Sequence, residues 1–310
     1  MVKELFKTLR WMAVALIFVV LIGILTLQSF FLFSILPSET TTFTDFNGET
    51  VGVLSIDGGI FSVEDRLKTL RKYRKNDSVK GLLIDVNSPG GAVAPSQELS
   101  DAVQRFASTG KPVVASVRSL GASGAYYVAS SADTIVANPG SLVGSIGVIM
   151  QFMQVSDLMK KVGVDYRVVK SGEFKDLGSP FRDMKPKERA VLRTLIMDVY
   201  DQFLNHILEN RQELSREQLE KIADGRVFTG KQALEKNLID ATGSRRDAIR
   251  KLQKAAGLEE EPTLWNAGER RFSLVESVLE ILSPLKELTD RSTSNFQLLY
   301  MMPEWGKHGE

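Results

Sequence analysis

Ser123 stands in the run Gly121, Ala122, Ser123, Gly124, Ala125, directly after an apolar, strand-like segment and before a helix-like one. A turn of such small residues lets the backbone pass close to its neighbours and leaves one hydroxyl projecting, as a nucleophile requires. The same residues also suit a tight helix-on-sheet seam with serine as a small filler. A second segment, Asn87-Ser88-Pro89-Gly90-Gly91, ends another apolar strand pattern and opens a helix. Glycines there free backbone N–H groups that can hold an oxyanion. A phosphate loop would need a lysine and a following hydroxyl, which are missing; an ordinary tight turn between strand and helix remains the bland alternative.

A serine nucleophile needs a base, and the composition narrows the choice. Cysteine is absent and histidine occurs only as His206 and His308. His308 is two residues from the end, and His206 falls in a helical pattern where it reads as a packing or surface residue. That leaves lysine, which serves only as the neutral amine. Burial disfavours the ammonium form and can bring its pKa from about 10.4 toward about 7–8. The segment "VVKSGEFKDLGSPF" (168–181) offers Lys170 and Lys175. Lys175 lies between Phe174 and Leu177, in a loop shaped by Gly172, Gly178 and Pro180. Asp176 beside it argues the other way, because a neighbouring carboxylate favours the charged amine. Either lysine alone also reads as an ordinary solvated charge.

The elements that must position these residues alternate in type. Strand patterns at 51–56, 79–91, 111–119, 133–139, 144–150 and 165–172 are separated by helix patterns at 61–76, 92–109 and 155–163, which predicts crossover units and a mainly parallel sheet. From about Lys185 the chain becomes mostly helical, with Leu192, Leu195, Ile196, Val199, Phe203 and Ile207 on one stripe. A turn, a short helix near Thr229 and a closing strand are expected over 223–244. The stretch "SLVESVLEILSPLKEL" is an amphipathic helix broken at Pro284. Lys plus Arg total 39 against 38 Asp plus Glu, a net charge of +1 that argues against a nucleic-acid partner.

Ahead of this, residues 11–37 carry no charge and follow Lys3, Lys7 and Arg10. The length exceeds the roughly 20 residues that span a bilayer and lacks a signal-peptide exit, so an uncleaved anchor with a cytoplasmic N-terminus is expected. The expected organisation is an anchor at 1–37, a polar stalk at 38–50, a catalytic domain at 51–257 and a helical extension at 258–310.

"NSPGG", "SLGASGAYYVASSADTIVANPGSLVGSIGVI", "KSGEFKDLGSPFR" and "ADGRVFTGKQALEKNLID" together resemble, in order, the signal peptide peptidase A family of bacterial membrane-bound serine proteases. The resemblance covers about residues 50–255, and a single anchor with one copy of the domain resembles the short form. It implies a Clp protease/crotonase-like α/β fold of stacked ββα units. It also implies a Ser/Lys dyad, with Ser123 as nucleophile and Lys175 as general base. Gly91 and Gly124 would form the oxyanion hole, and Ser145 would orient the lysine amine. No metal or cofactor is implied. The implied partners are peptides such as remnant signal peptides, the lipid bilayer through residues 11–37, and further copies in a ring-shaped homo-oligomer, with the domain outside the inner membrane. A non-catalytic scaffold or an acyl-CoA enzyme of the crotonase type would share the fold.

Overall fold

The computed structural model describes residues 49–267 and 299–301, together with Ile22. The expected anchor at 11–37, most of the stalk, the amphipathic stretch around Pro284 and His308 lie outside the described residues. Among the described residues no helix is long and apolar enough to cross a membrane.

The centre is a mainly parallel sheet. Strands β1 (Thr50–Asp57), β2 (Val79–Ser88) and β4 (Val113–Ala122) lie side by side in the order β1, β2, β4. On its far edge β4 pairs in succession with β5 (Thr134–Ala137) and then β6 (Leu142–Gly144), so the sheet forks around its last residues. β7 (Val227–Thr229) continues beyond β6 as the one antiparallel neighbour in this sheet. β8 (Ala241–Thr242) adds to β5, and β9 (Thr263–Trp265) adds to the outer edge of β1.

Period-two alternation accounts for the layering, since successive strand residues face opposite sides. Leu54, Ile56, Leu82, Ile84, Val86, Ala115 and Val117 enter one apolar cluster, while Val51, Val53, Leu83, Val114 and Val136 enter another. The first face is covered by α1 (Glu64–Lys75), α2 (Val93–Ala107), α3 (Gly124–Ala129) and the second half of α5 (Pro186–Asn210). The second face is covered by α8 (Arg245–Ala255) through Ala248, Ile249 and Leu252. Each aliphatic side chain buried this fully contributes about 1.5–3 kcal/mol of transfer free energy. The remaining helices are α4 (Ser156–Lys161), α6 (Arg216–Glu220) and α7 (Gly230–Glu235). A mixed α/β architecture with a mostly parallel, forked sheet fits the Clp/crotonase-like expectation.

Three local expectations change. The strand expected over 144–150 stops at Gly144, because Gly144 (φ 96°) and Ser145 (φ 51°) both leave the extended region. The strand expected over 165–172 does not form; Val168 and Val169 are exposed and the segment pairs with no sheet edge. The segment read as a helical extension contributes two short strands, β9 and β10 (Leu299–Met301). β9 is fastened by Tyr73, whose hydroxyl donates to the Trp265 carbonyl at 2.7 Å and accepts from the Ala267 N–H at 2.7 Å.

Candidate active site

β2 and β4 end next to each other, with Ser88 opposite Gly121, so the turns that follow them leave the sheet side by side. The first is Pro89-Gly90-Gly91. Gly90 has φ 97°, which an L side chain adopts only under strain. Gly91 must also be glycine, for a different reason: a Cβ would lie 2.2 Å from the Ile60 carbonyl oxygen. The Ile60 N–H donates to the Gly90 carbonyl at 2.9 Å, and Ala92 donates back to Ile60 at 2.8 Å, which holds this turn and the short strand β3 (Gly90–Ala92) in place.

The second turn carries Ser123, whose backbone sits at φ 53°, ψ −117°. A non-glycine residue there stores about 1–3 kcal/mol of strain and is held by its surroundings. What holds it is explicit. Its N–H donates to the Gly144 carbonyl at 2.7 Å, and its carbonyl accepts from Tyr127 at 2.9 Å. The helix that follows, α3, is buried along its whole length. Tyr126 anchors it by donating to the Leu238 carbonyl at 2.8 Å. Ser123 itself is 1% exposed. Gly124 opens α3, and Ser145 follows the residue that receives the Ser123 N–H, so Ser123, Gly124, Gly91 and Ser145 converge on one end of the sheet.

β3 has a partner of its own. β10 runs antiparallel to it, Tyr300 opposite Gly91 and Met301 opposite Gly90, and also lies against α2 and α3. An extended strand therefore already occupies the edge beside the Gly-Gly turn.

Neither candidate lysine joins this cluster within one chain. Lys175 is exposed, and no hydrogen bond among the described residues links it to Ser123. Its N–H donates to Gly172 at 3.2 Å in a looped segment without strand structure. Lys170 is committed elsewhere, with its amine on the Glu173 carbonyl at 2.9 Å and on the Asp176 carboxylate. Arg182 takes the other Asp176 oxygen at 2.8 Å and forks onto Glu188 at 2.9 and 2.5 Å. The Arg182 and Lys170 hydrogen bonds hold the Asp176 carboxyl well below the usual carboxylate range. The objection that Asp176 would charge Lys175 thus loses its force: this carboxylate has other partners.

His206 is buried beneath α3. Its Nε2 lies 3.0 Å from the Tyr127 carbonyl, which can only accept, so that nitrogen carries the proton. Ser100 and Ser131 approach the same nitrogen at 3.2 Å, and the imidazole stacks on Tyr127 with ring centroids 3.9 Å apart. Burial pushes its pKa down to about 4. It is a neutral packing residue that braces α3, as the helical pattern suggested. The Arg182–Glu188 fork and the β10–β3 pairing were not foreseen. The former had one sequence signal, a glutamate three residues after Lys185 at the start of α5.

A serine on a strained strand-to-helix turn, beside a Gly-Gly turn at the end of a parallel sheet, defines a nucleophilic hydrolase class. Residues 105–259 match peptidase family S49, and the chain belongs to this family of serine proteases. It is 44% identical over 192 residues to a putative protease of Methanocaldococcus jannaschii, covering 62% of this chain and 61% of that protein. It is 41% identical over 224 residues to a putative protease of Synechocystis, covering 72% and 80%. Over 194 residues it is 34% identical to a putative signal peptide peptidase SppA of Enterococcus faecium, covering 63% of this chain and 56% of that protein. The chain thus spans less than two-thirds of the length of the first and third of these relatives.

Proposed function

We propose that this protein is a membrane-anchored serine endopeptidase in which Ser123 is the nucleophile and Lys175 the general base. The observation that carries the reading is the Ser123 turn, strained at φ 53° and set beside Gly91 and Gly124. The neutral Lys175 amine takes the Ser123 proton as Oγ attacks a peptide carbonyl. The N–H groups of Gly91 and Gly124 receive the oxyanion, each worth about 10²–10³ in kcat by analogy with other such donors. The lysine then gives its proton to the leaving amine, and water hydrolyses the acyl-enzyme. The Ser145 hydroxyl orients the amine.

Lys175 and Ser123 pair between copies of the chain in this reading. Residues 150–183 support it, since they expose Met153, Leu158, Val164, Val169 and Phe174, more apolar surface than a lone chain usually leaves to water. Closing this surface against a second copy also removes water from the amine, which favours its neutral form. The substrates are remnant signal peptides and other short extended segments, added to the β3 edge. An antiparallel strand on that edge is already present as β10, which supports this choice of site. Anchoring through residues 11–37 puts the catalytic domain on the outer side of the bacterial inner membrane.

The test uses the full chain with a fluorogenic apolar peptide. Ser123→Ala and Lys175→Ala each abolish hydrolysis, and wild-type activity falls as acid protonates the amine. A mixture of the two inactive variants regains activity, because a serine from one copy meets a lysine from another. Activity retained by Ser123→Ala would end the protease reading. Activity retained by Lys175→Ala would shift the base to Lys170, and an inactive mixture would return the dyad to one chain.

A further inference from the structure

Around Lys175 the carboxylates are all engaged with other groups. Glu173 pairs with Lys187 of α5 at 3.7 Å, Asp176 with Lys170 and Arg182, and Glu188 with Arg182. Asp183 accepts from Gln154 and Ser156, Asp157 on α4 pairs with Lys160, and Asp165 pairs with Arg167. The cations on the same elements are Lys160, Lys161, Arg167, Lys170, Arg182, Lys185, Lys187, Arg189 and Arg193. Lys175 makes no ion pair and no side-chain hydrogen bond among the described residues, as is also true of Lys161 and Lys185, whereas Lys160, Lys170, Arg182 and Lys187 are paired.

Arg182 is the hub. Its Nε donates to Asp176 Oδ2 at 2.8 Å, and one terminal nitrogen donates to Glu188 Oε2 at 2.9 Å and the Asp183 carbonyl at 3.0 Å. The other donates to Glu188 Oε1 at 2.5 Å and the Asp176 carbonyl at 3.1 Å. Five N–H donors thus meet five acceptors, which a lysine with three donors cannot reproduce. Glu188 is 0% exposed and also accepts the Lys185 N–H at 2.8 Å, so the far end of the fork is fixed to the first turn of α5. The residue at the near end, Asp176, is the one directly after Lys175.

We propose that Arg182 is a positioning residue for Lys175: it ties Asp176 to Glu188, fixes the loop on α5, and keeps the Asp176 carboxylate away from the neighbouring amine. The proposal rests on Lys175 being the base. Without the fork, Asp176 keeps only its Lys170 pair through Oδ1, which leaves Oδ2 open to the amine beside it, and a carboxylate within about 4–6 Å stabilises the charged form. Arg182 touches neither substrate nor reacting atoms; it acts through Asp176.

The experiment measures peptide hydrolysis by the full chain across pH for wild type, Arg182→Met, the double variant Arg182→Met/Asp176→Asn, and Lys175→Ala. Thermal melting confirms that each is folded. Arg182→Met should move the midpoint of the pH–activity curve upward by about 0.5–1 unit, with much of the rate regained at high pH. The double variant should bring the midpoint back down. A rate lowered equally at every pH, and not restored by Asp176→Asn, would mean that Arg182 only holds the loop and would overturn the proposal. If Arg182→Met does not fold, Arg182→Lys is read in its place, and an unmoved midpoint in that variant overturns the proposal as well. A fully active Lys175→Ala overturns the base assignment instead, whatever the arginine variants do.

Discussion

Ser123 combines two demands at one residue, a hydroxyl and a backbone conformation that favours glycine. The two separate by substitution. Ser123→Ala removes the hydroxyl and keeps the strain, whereas Ser123→Gly removes both. Both variants should be inactive, and the glycine variant should be the more stable by about 1 kcal/mol, after allowing for the entropy glycine gains when unfolded. Thermal melts of the pair decide it; an alanine variant that melts at or above the glycine variant would show that the turn stores no strain. The turn that carries Ser123 was legible in sequence, as a hydroxyl among Gly121, Ala122, Gly124 and Ala125 between a strand pattern and a helix pattern. The reading of His206 as a packing residue was legible too, and it lies beneath α3 with a ring nitrogen committed to the Tyr127 carbonyl. Arg182 was not legible. Its partners lie six residues before and six residues after it, a spacing that matches neither a helix nor a strand, so only a folded loop brings them together.

At the level of elements, the Gly90-Gly91 turn that opens β3 leaves no room for a side chain at Gly91. A Cβ at Gly91 would meet backbone atoms of Ile60 at 2.2–2.5 Å, and backbone cannot rotate aside as a side chain can. Gly91→Ala should cost about 1–3 kcal/mol and displace the proposed oxyanion donor. Melting temperature and kcat/KM should therefore fall together; a variant of wild-type kcat/KM would remove Gly91 from the site. Long strands announced themselves: β1, β2 and β4 are apolar runs buried on both faces. β3, β6, β7, β9 and β10 span three residues each, too few for any period to appear. The reverse error arose at 165–172, where Val168 and Val169 give a strand-like composition but meet no edge to pair with. β propensity describes fitness for a half-buried pleat, and this segment has none.

For the molecule as a whole, the segment from Gln151 to Asp183 is where the proposed contact between copies can be tested. Val169 is fully exposed at 102% and Met153 at 77%, so a charge at position 169 disturbs no packing inside the chain. Val169→Asp should leave the melting of the domain near wild type while lowering both the oligomer size by light scattering and the peptidase activity. Unchanged size and activity would mean that this surface faces water in the working protein. The strand at Leu299–Met301 has a quieter consequence. A visiting peptide that needs the β3 edge competes with a resident tethered to the same chain, and dilution does not weaken a tethered rival. The affinity such a visitor displays is its intrinsic affinity scaled by the fraction of time the seat stands empty.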